Sequence, residues 1–219
     1  MKLTSDIQEL KPTLFASVPR LYNKIYDKIV GSVNQAGGAK KSLFETAVAA
    51  KVHNLETRCQ YTHAIYDPLI FNKVKQIFGG RVRLMTTGSA PISRDVSNFF
   101  KIAFCVPIME GYGQTETGGA PCLSHDTDPR TQHVGGPIGS AKIRLRDVPE
   151  MGYLTTDNPP RGEIQFYGPC VFKGYFKNQE KTKEAFDEDG WLCTGDVGVI
   201  HENGSVQIID RAKNIFKLS

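Results

Sequence analysis

The chain has 219 residues, 40% of them hydrophobic, which is enough to bury one substantial core or two small ones. Its 27 Lys and Arg against 23 Asp and Glu are scattered in ones and twos, without a basic stripe among aromatics, and this argues against a nucleic-acid surface. The longest apolar run, 102–109, contains Pro107 and falls far short of the ~20 residues a bilayer needs; the opening Met1-Lys2-Leu3-Thr4-Ser5-Asp6 lacks the apolar centre of a secretory signal.

In chain order, residues 12–18 read as a short apolar strand or entry loop. Pro19 suits the first turn of a helix carrying Leu21, Ile25 and Ile29 at four-residue spacing. Ser42 is placed to cap a second helix holding Leu43, Ala47 and Ala50. A third runs from Asp67-Pro68 through Leu69, Val74 and Ile77 to a stop at Gly79-Gly80. Val82, Leu84 and Thr86 then alternate as a strand. Ser93 caps a helix with Val96, Phe99, Phe100 and Ala103, and 105–109 reads as a buried strand. Strand, helix, strand predicts a parallel α/β layer.

After Pro121 the helical period disappears. Residues 142–146, 163–167, 197–201 and 205–209 alternate or run apolar between Gly, Pro and Asn, and Asn203-Gly204 is a hairpin signal. The fold class expected is α/β: a parallel α/β subdomain over 1–130 and an antiparallel β-subdomain over 131–209. No internal repeat is visible. The five cysteines have no Cys-x-x-Cys pair, and Cys122-x-x-His125 with His133 lacks a fourth ligand, so reduced thiols are the reading adopted.

Ligands bind where strands of a parallel sheet give way to loops, and two such transitions occur. Thr86-Thr87-Gly88-Ser89-Ala90-Pro91 is one. Glu110-Gly111-Tyr112-Gly113-Gln114-Thr115-Glu116-Thr117-Gly118-Gly119 is the other, read as a loop whose glycines admit a ligand to the backbone. There Tyr112 offers a flat face for a base, Thr115 a hydroxyl for phosphate, and Glu116 a hard oxygen ligand for magnesium. A Gly-rich surface turn with a polar tip is the competing reading. No Walker loop, dinucleotide fingerprint or Gly-x-Ser-x-Gly occurs. Downstream, Asp196 in Trp191-Leu192-Cys193-Thr194-Gly195-Asp196 can accept two hydrogen bonds from a ribose diol, and Arg211 in Asp210-Arg211 can donate to the same ribose; alone, each also fits a turn aspartate or a surface arginine.

The order Tyr-Gly-Gln-Thr-Glu, Gly162-Glu163-Ile164, Gly174-Tyr175, Thr194-Gly195-Asp196, Asp210-Arg211 resembles the adenylate-forming enzymes. Within them the chain looks most like the long-chain acyl-CoA synthetases. Ser17-Val18-Pro19-Arg20-Leu21-Tyr22, Gly79-Gly80-Arg81-Val82-Arg83, His133-Val134-Gly135-Gly136-Pro137 and Val171-Phe172-Lys173-Gly174-Tyr175 carry that likeness over nearly the whole chain. It implies an adenine pocket lined by Gly88, Ser89, Ala90, Pro91, Gly111 and Tyr112, phosphate at Thr115, magnesium at Glu116, and ribose between Asp196 and Arg211. Lys213 matches the hinge of a small C-terminal domain, so that 210–219 would be hinge and domain start. Cys193 stands where the family has His, and Ala212 where it has Lys or another polar residue.

The resemblance further implies ATP, AMP, Mg2+ and coenzyme A as ligands and a long-chain fatty acid as substrate. The setting implied is the cytoplasmic face of the endoplasmic reticulum, peroxisome or mitochondrial outer membrane, with any membrane association belonging to a longer protein. The family's upstream phosphate loop and its C-terminal domain, each with a catalytic lysine, have no counterpart in the chain. The expectation is therefore a piece of a longer ligase, inactive by itself. Another carboxylate-adenylating enzyme, or a truncated non-catalytic nucleotide-binding or interaction module, are the alternatives.

Overall fold

The computed structural model describes residues 3–211, which fall into two compact units: 3–109 with 125–132, and 110–124 with 133–211. In the first, α1 (Leu3–Leu10) and β1 (Leu14–Ser17) precede α2 (Pro19–Ala36) and α3 (Gly38–Arg58). A helical stretch changes pitch along its length, from a wide turn at Asp67–Phe71 through α4 (Asn72–Lys75) to a tight turn at Gln76–Phe78. It stops at Gly79 in the left-handed conformation. Then come β2 (Leu84–Gly88), α5 (Arg94–Phe104) and the start of β3 (Ile108–Gln114). β1 and β2 pair in parallel with Leu14 opposite Leu84 and Ser17 opposite Thr87.

Local chemistry sets most of these boundaries. Pro19 opens α2, where its missing N–H costs nothing, and Ser93 caps α5 by accepting the Val96 N–H. Two expectations are corrected. α3 begins at Gly38 rather than at Ser42, because Gly37 at φ 57° turns the chain directly from α2 into α3. The strand expected at 105–109 starts only at Ile108, because Cys105 takes a left-handed conformation and ends α5 with its N–H on the Lys101 carbonyl.

The core of this unit is aromatic. Phe15, Tyr22, Phe78, Phe100 and Phe104 are buried; Phe15 meets Phe78 at 4.4 Å between ring centroids and Tyr22 meets Phe100 edge-on at 4.9 Å. The Tyr22 hydroxyl donates to the Thr86 carbonyl at 3.1 Å, so α2 is tied to β2 by the one polar atom of a buried ring. Lys101 is likewise buried, and its ammonium donates to the carbonyls of Pro129 and Arg130 at 2.8 and 2.9 Å. That contact holds segment 125–132 on α5.

Lys51 of α3 is fully buried and paired with Asp67. Its ammonium lies 3.3 Å from the Cys105 sulfur and 4.6 Å from the Phe71 ring centre. Burial disfavours the Asp67 carboxylate, but hydrogen bonds from Lys51, the His63 N–H and Cys105 outweigh it and hold Asp67 below its ordinary range.

The second unit is β-rich. The rest of β3 pairs antiparallel with β4 (Gly119–Leu123), which pairs with β5 (Gly136–Pro137). β6 (Lys142–Arg146), β7 (Arg161–Tyr167), β8 (Leu192–Ile200) and β9 (Val206–Arg211) form an antiparallel sheet in that order. The Asn203-Gly204 turn joins β8 to β9 as expected, with Ile200 opposite Val206. The fold class is thus the one expected, a parallel-containing α/β part followed by an antiparallel part. A helix absent from the expectation, α6 (Gln179–Ala185), interrupts the strands. Seven residues are too few to display a period, and its start is set by the Asn178 side chain accepting the Lys181 N–H. None of the described helices is long and apolar enough to cross a membrane.

β7 shows why the antiparallel sheet is stable. Ile164 and Phe166 are fully buried on one face with Cys122 and Val206. On the other face Glu163 and Gln165 are also buried, and both are hydrogen-bonded.

Replacing Lys51 by Met should destabilise the protein by roughly 3–5 kcal/mol, since it strands a partly buried carboxylate. Because the folded Asp67 is depressed, its contribution is complete above the ordinary value of 3.8 and is lost as pH falls through the depressed value. Urea unfolding followed by circular dichroism should therefore show the Lys51→Met deficit at neutral pH and a shrinking deficit in acid.

Candidate functional site

The Gly-rich motif is not a loop. Residues 110–114 continue β3, Thr115–Thr117 form a single tight helical turn, and 119–123 return as β4. The expected loop is corrected to a hairpin, and Gly113 explains it. A Cβ there would stand 1.7 Å from the Gly119 carbonyl oxygen, so only glycine permits the strands to close at the bulge between Tyr112 and Gln114. Gln114 and Thr117 cap the turn reciprocally, which fixes how Thr115 and Glu116 project from it.

A second bulge lies in β8. Glu163 faces Val197 and Gln165 faces Cys193, so residues 194–196 stand opposite Ile164 alone. The ladder interrupted there is repaired by side chains. Glu163 accepts the Gly195 N–H at 2.8 Å and is paired with Arg146. The Thr194 hydroxyl donates to the Ile164 carbonyl at 2.7 Å and accepts the Asp196 N–H at 3.1 Å.

The bulge presents Asp196, which is only 5% exposed. Tyr112 donates its hydroxyl to Oδ2 at 2.7 Å and Gln114 its amide to the same oxygen at 2.9 Å. Arg211 donates Nε to Oδ1 at 2.9 Å. Gln114 also donates to the Thr194 carbonyl at 2.9 Å, so it spans the bulge. Burial, then the Asp196 charge, push the Tyr112 phenol up, so that it remains a proton donor. The Asp196 hydrogen bond likewise holds Arg211 charged. Tyr112, Asp196 and Arg211, far apart in sequence, are therefore one cluster.

Glu116 occupies a different point of this unit. Its Oε1 accepts the Tyr175 hydroxyl at 2.6 Å, and its backbone carbonyl accepts the Phe172 N–H at 2.8 Å. The hydrogen bond to Glu116 and burial push the Tyr175 phenol up to about 12. An open cleft of about 780 Å³ is lined by Gln114, Glu116, Arg146, Glu163, Tyr175 and Gly195, among others. Among the described residues no group of three or more His, Cys, Asp or Glu is arranged to hold a metal. Glu116 fits instead as a lone protein ligand. Its Oε2 has no partner among the described residues, and one carboxylate oxygen suits a cation that brings most of its ligands with a polyphosphate.

Thr115 is exposed on the same turn, and Gly111 lies in β3 opposite Leu123. Gly88 ends β2 in the first unit, followed by Ser89 at φ 69°, Ala90 and Pro91 on an exposed segment. Lys213 lies outside the described residues. Gln114, Glu163 and Tyr175 belong to the motifs of the sequence, yet the motifs alone assign them no role. A glutamate flanked by Gly162 and Ile164 in a strand is the one signal that points to Glu163.

The family described as AMP-binding enzyme matches residues 1–176. Across its whole length the chain is 48% identical to "Long chain acyl-CoA synthetase 7, peroxisomal" of Arabidopsis thaliana, of which it covers 31%. It is 42% identical over 217 residues to "Long-chain-fatty-acid--CoA ligase 5" of Mus musculus, covering 99% of this chain and 31% of that one. The chain thus spans about a third of the length of the curated relatives it matches. Among solved structures, the A-PCP didomain of carboxylic acid reductase from Segniliparus rugosus in complex with AMP superposes with a TM-score of 0.75 at 28% identity, over 97% of this chain and 26% of that one. ATP-bound MatB from Rhodopseudomonas palustris gives a TM-score of 0.63 at 26% identity, over 96% and 33%.

Glu163→Ala leaves the buried Gly195 N–H unsatisfied and should cost about 1–3 kcal/mol. Glu163→Gln keeps an acceptor at that position and loses only the pairing with a half-exposed Arg146, so most of the stability should return. Unfolding midpoints read by Trp191 fluorescence compare the two.

Proposed function

The chain belongs to the AMP-binding enzyme family, and on that premise we propose that it is the nucleotide-binding part of a ligase that activates a long-chain fatty acid with ATP and transfers it to coenzyme A. The observation that supports this most directly is the cluster of Tyr112 and Arg211 on the two oxygens of a buried Asp196. The names of the relatives, long-chain acyl-CoA synthetases and ligases, support the acyl substrate. Solved relatives with AMP or ATP bound support the nucleotide.

A carboxylate is a poor electrophile. In the proposed reaction its oxygen attacks the α-phosphorus of ATP, the bond to the β-phosphate oxygen breaks, and pyrophosphate leaves. The sulfur of coenzyme A then attacks the acyl carbon, AMP departs, and the thiol proton passes to solvent. What the protein contributes is position and charge.

Asp196 accepts the ribose hydroxyls, and Arg211, whose guanidinium is mostly exposed, moves with them to donate. Tyr112 flanks adenine while its hydroxyl stays on Asp196. The family likeness also assigns Gly88, Ser89, Ala90, Pro91 and Gly111 to the base, and Thr115 donates to phosphate. Glu116 holds a divalent ion, Mg2+, that supplies charge neutralisation at the phosphate oxygens when bound. Peroxisomal names among the relatives support a peroxisomal setting among those expected.

The test uses a protein of the relatives' full length. Asp196→Ala removes charge-assisted hydrogen bonds of about 1.5–3 kcal/mol each. ATP binding should weaken at least roughly tenfold, with pyrophosphate exchange and acyl transfer to coenzyme A falling together. Undiminished ATP affinity would overturn the ribose role. Competing aryl, short-chain and long-chain acids in the exchange assay separates the fatty acid reading from other adenylating enzymes.

A further inference from the structure

The segment Phe172-Lys173-Gly174-Tyr175 carries part of the family likeness but has no role in the reaction just described. Its geometry supplies one. The Tyr175 hydroxyl donates to Glu116 Oε1 at 2.6 Å, and three residues earlier the Phe172 N–H donates to the Glu116 carbonyl at 2.8 Å. The same short segment therefore grips Glu116 by backbone and by side chain.

The grip is built. Phe172 packs edge-on against the Tyr175 ring at 4.9 Å and stacks on Phe186 at 5.7 Å. The Tyr175 N–H donates to the Thr182 hydroxyl at 2.9 Å, and that hydroxyl donates to the Asn178 carbonyl at 2.8 Å, which anchors the turn on the first residues of α6. Gly174 makes the approach possible. At φ 142° its Cβ would lie 2.6 Å from a Thr182 carbon, so a side chain there would push the turn off the helix. Although Tyr175 is 40% exposed, its position is fixed at both ends.

We propose that Tyr175 is the positioning residue for the Glu116 carboxylate, holding Oε1 so that Oε2 is offered to the divalent cation that accompanies ATP. The proposal rests on the reading of Glu116 as a cation ligand. A glutamate on a one-turn helix has three side-chain torsions to order, and a ligand held in place beforehand loses less freedom on binding. Tyr175 makes no contact with cation or nucleotide in this scheme. Its effect therefore appears in the affinity for the ion, not in the rate at saturation.

The experiment uses the full-length protein with Tyr175→Phe, which keeps the ring and its packing, and Glu116→Gln beside it. Mn2+ binding in the presence of a non-hydrolysable ATP analogue is followed by electron paramagnetic resonance, and pyrophosphate exchange is titrated with Mg2+. In Tyr175→Phe the half-saturating concentrations of both ions should rise about tenfold, the scale of losing one hydrogen bond to a charged group. The exchange rate should recover at saturating Mg2+. In Glu116→Gln the rise should be at least as large, and adding Tyr175→Phe to it should change nothing further. If Glu116→Gln weakens the ion while Tyr175→Phe leaves it unchanged or tighter, the positioning role is overturned and the cation role of Glu116 stands. If Glu116→Gln itself leaves ion binding unchanged, both fall.

Discussion

A carboxylate survives burial only if its charge is met on both oxygens, and the second unit is organised around meeting that demand at Asp196. The donors come from two strands onto a residue of a third: Tyr112 and Gln114 from β3, and Arg211 from the end of β9, onto β8. Each strand has to arrive in register for the set to close. The two bulges, one in β3 and one in β8, put the donor pair and the acceptor where regular ladders would not. Tyr112, Gln114, Asp196 and Arg211 are thus a structural group first, and whatever chemistry they perform is built on a set already held together.

The supporting parts have a division of labour. Glu163 and Thr194 direct their hydrogen bonds to backbone, closing the gap that the β8 bulge opens. Tyr112 and Gln114 direct theirs to a side chain. In the first unit the buried polar groups act differently, for Tyr22, Lys51 and Lys101 each tie one secondary element or segment to another. Charged or hydroxylated atoms in a core destabilise it unless satisfied, and where they are satisfied they select one arrangement over its competitors.

Much of this is legible in the sequence, and unevenly so. Pro19, Ser93 and Gly79 announce helix ends because each acts through its own local geometry. The β8–β9 hairpin is announced by Asn203-Gly204 for the same reason. What escapes is what depends on partners remote in sequence. A Gly-rich stretch reads as a loop until the strand returning at 119–123 shows that residues 110–114 are paired. Glu163 has no visible purpose until a bulge 32 residues later leaves Gly195 needing an acceptor. The trio of Tyr112, Asp196 and Arg211 is recoverable as candidates through family likeness, but that Tyr112 meets Asp196 by its hydroxyl, and not only a ligand by its face, follows from tertiary geometry. Cys105 reads as strand because a left-handed cysteine gives no warning in composition.

The hairpin at Gly113 bears on how this stretch can change over generations. Every single-base change that turns a glycine codon into another amino acid's codon adds a Cβ, whether the newcomer is alanine, serine, valine or arginine. At 113 that atom meets a backbone oxygen at 1.7 Å, and the oxygen belongs to the opposite strand, so no rotamer relieves it. At 118 and 119 the obstacle is the positive φ, a torsional penalty of a size that other contacts can offset. At 111 a Cβ would come to 3.3 Å from the Leu123 Cδ1 and 3.4 Å from the Ala120 Cβ, close contacts that a shift of a few tenths of an ångström relieves. Four glycines in a nine-residue stretch therefore present three grades of steric and torsional barrier to the genetic code, the highest of them at 113.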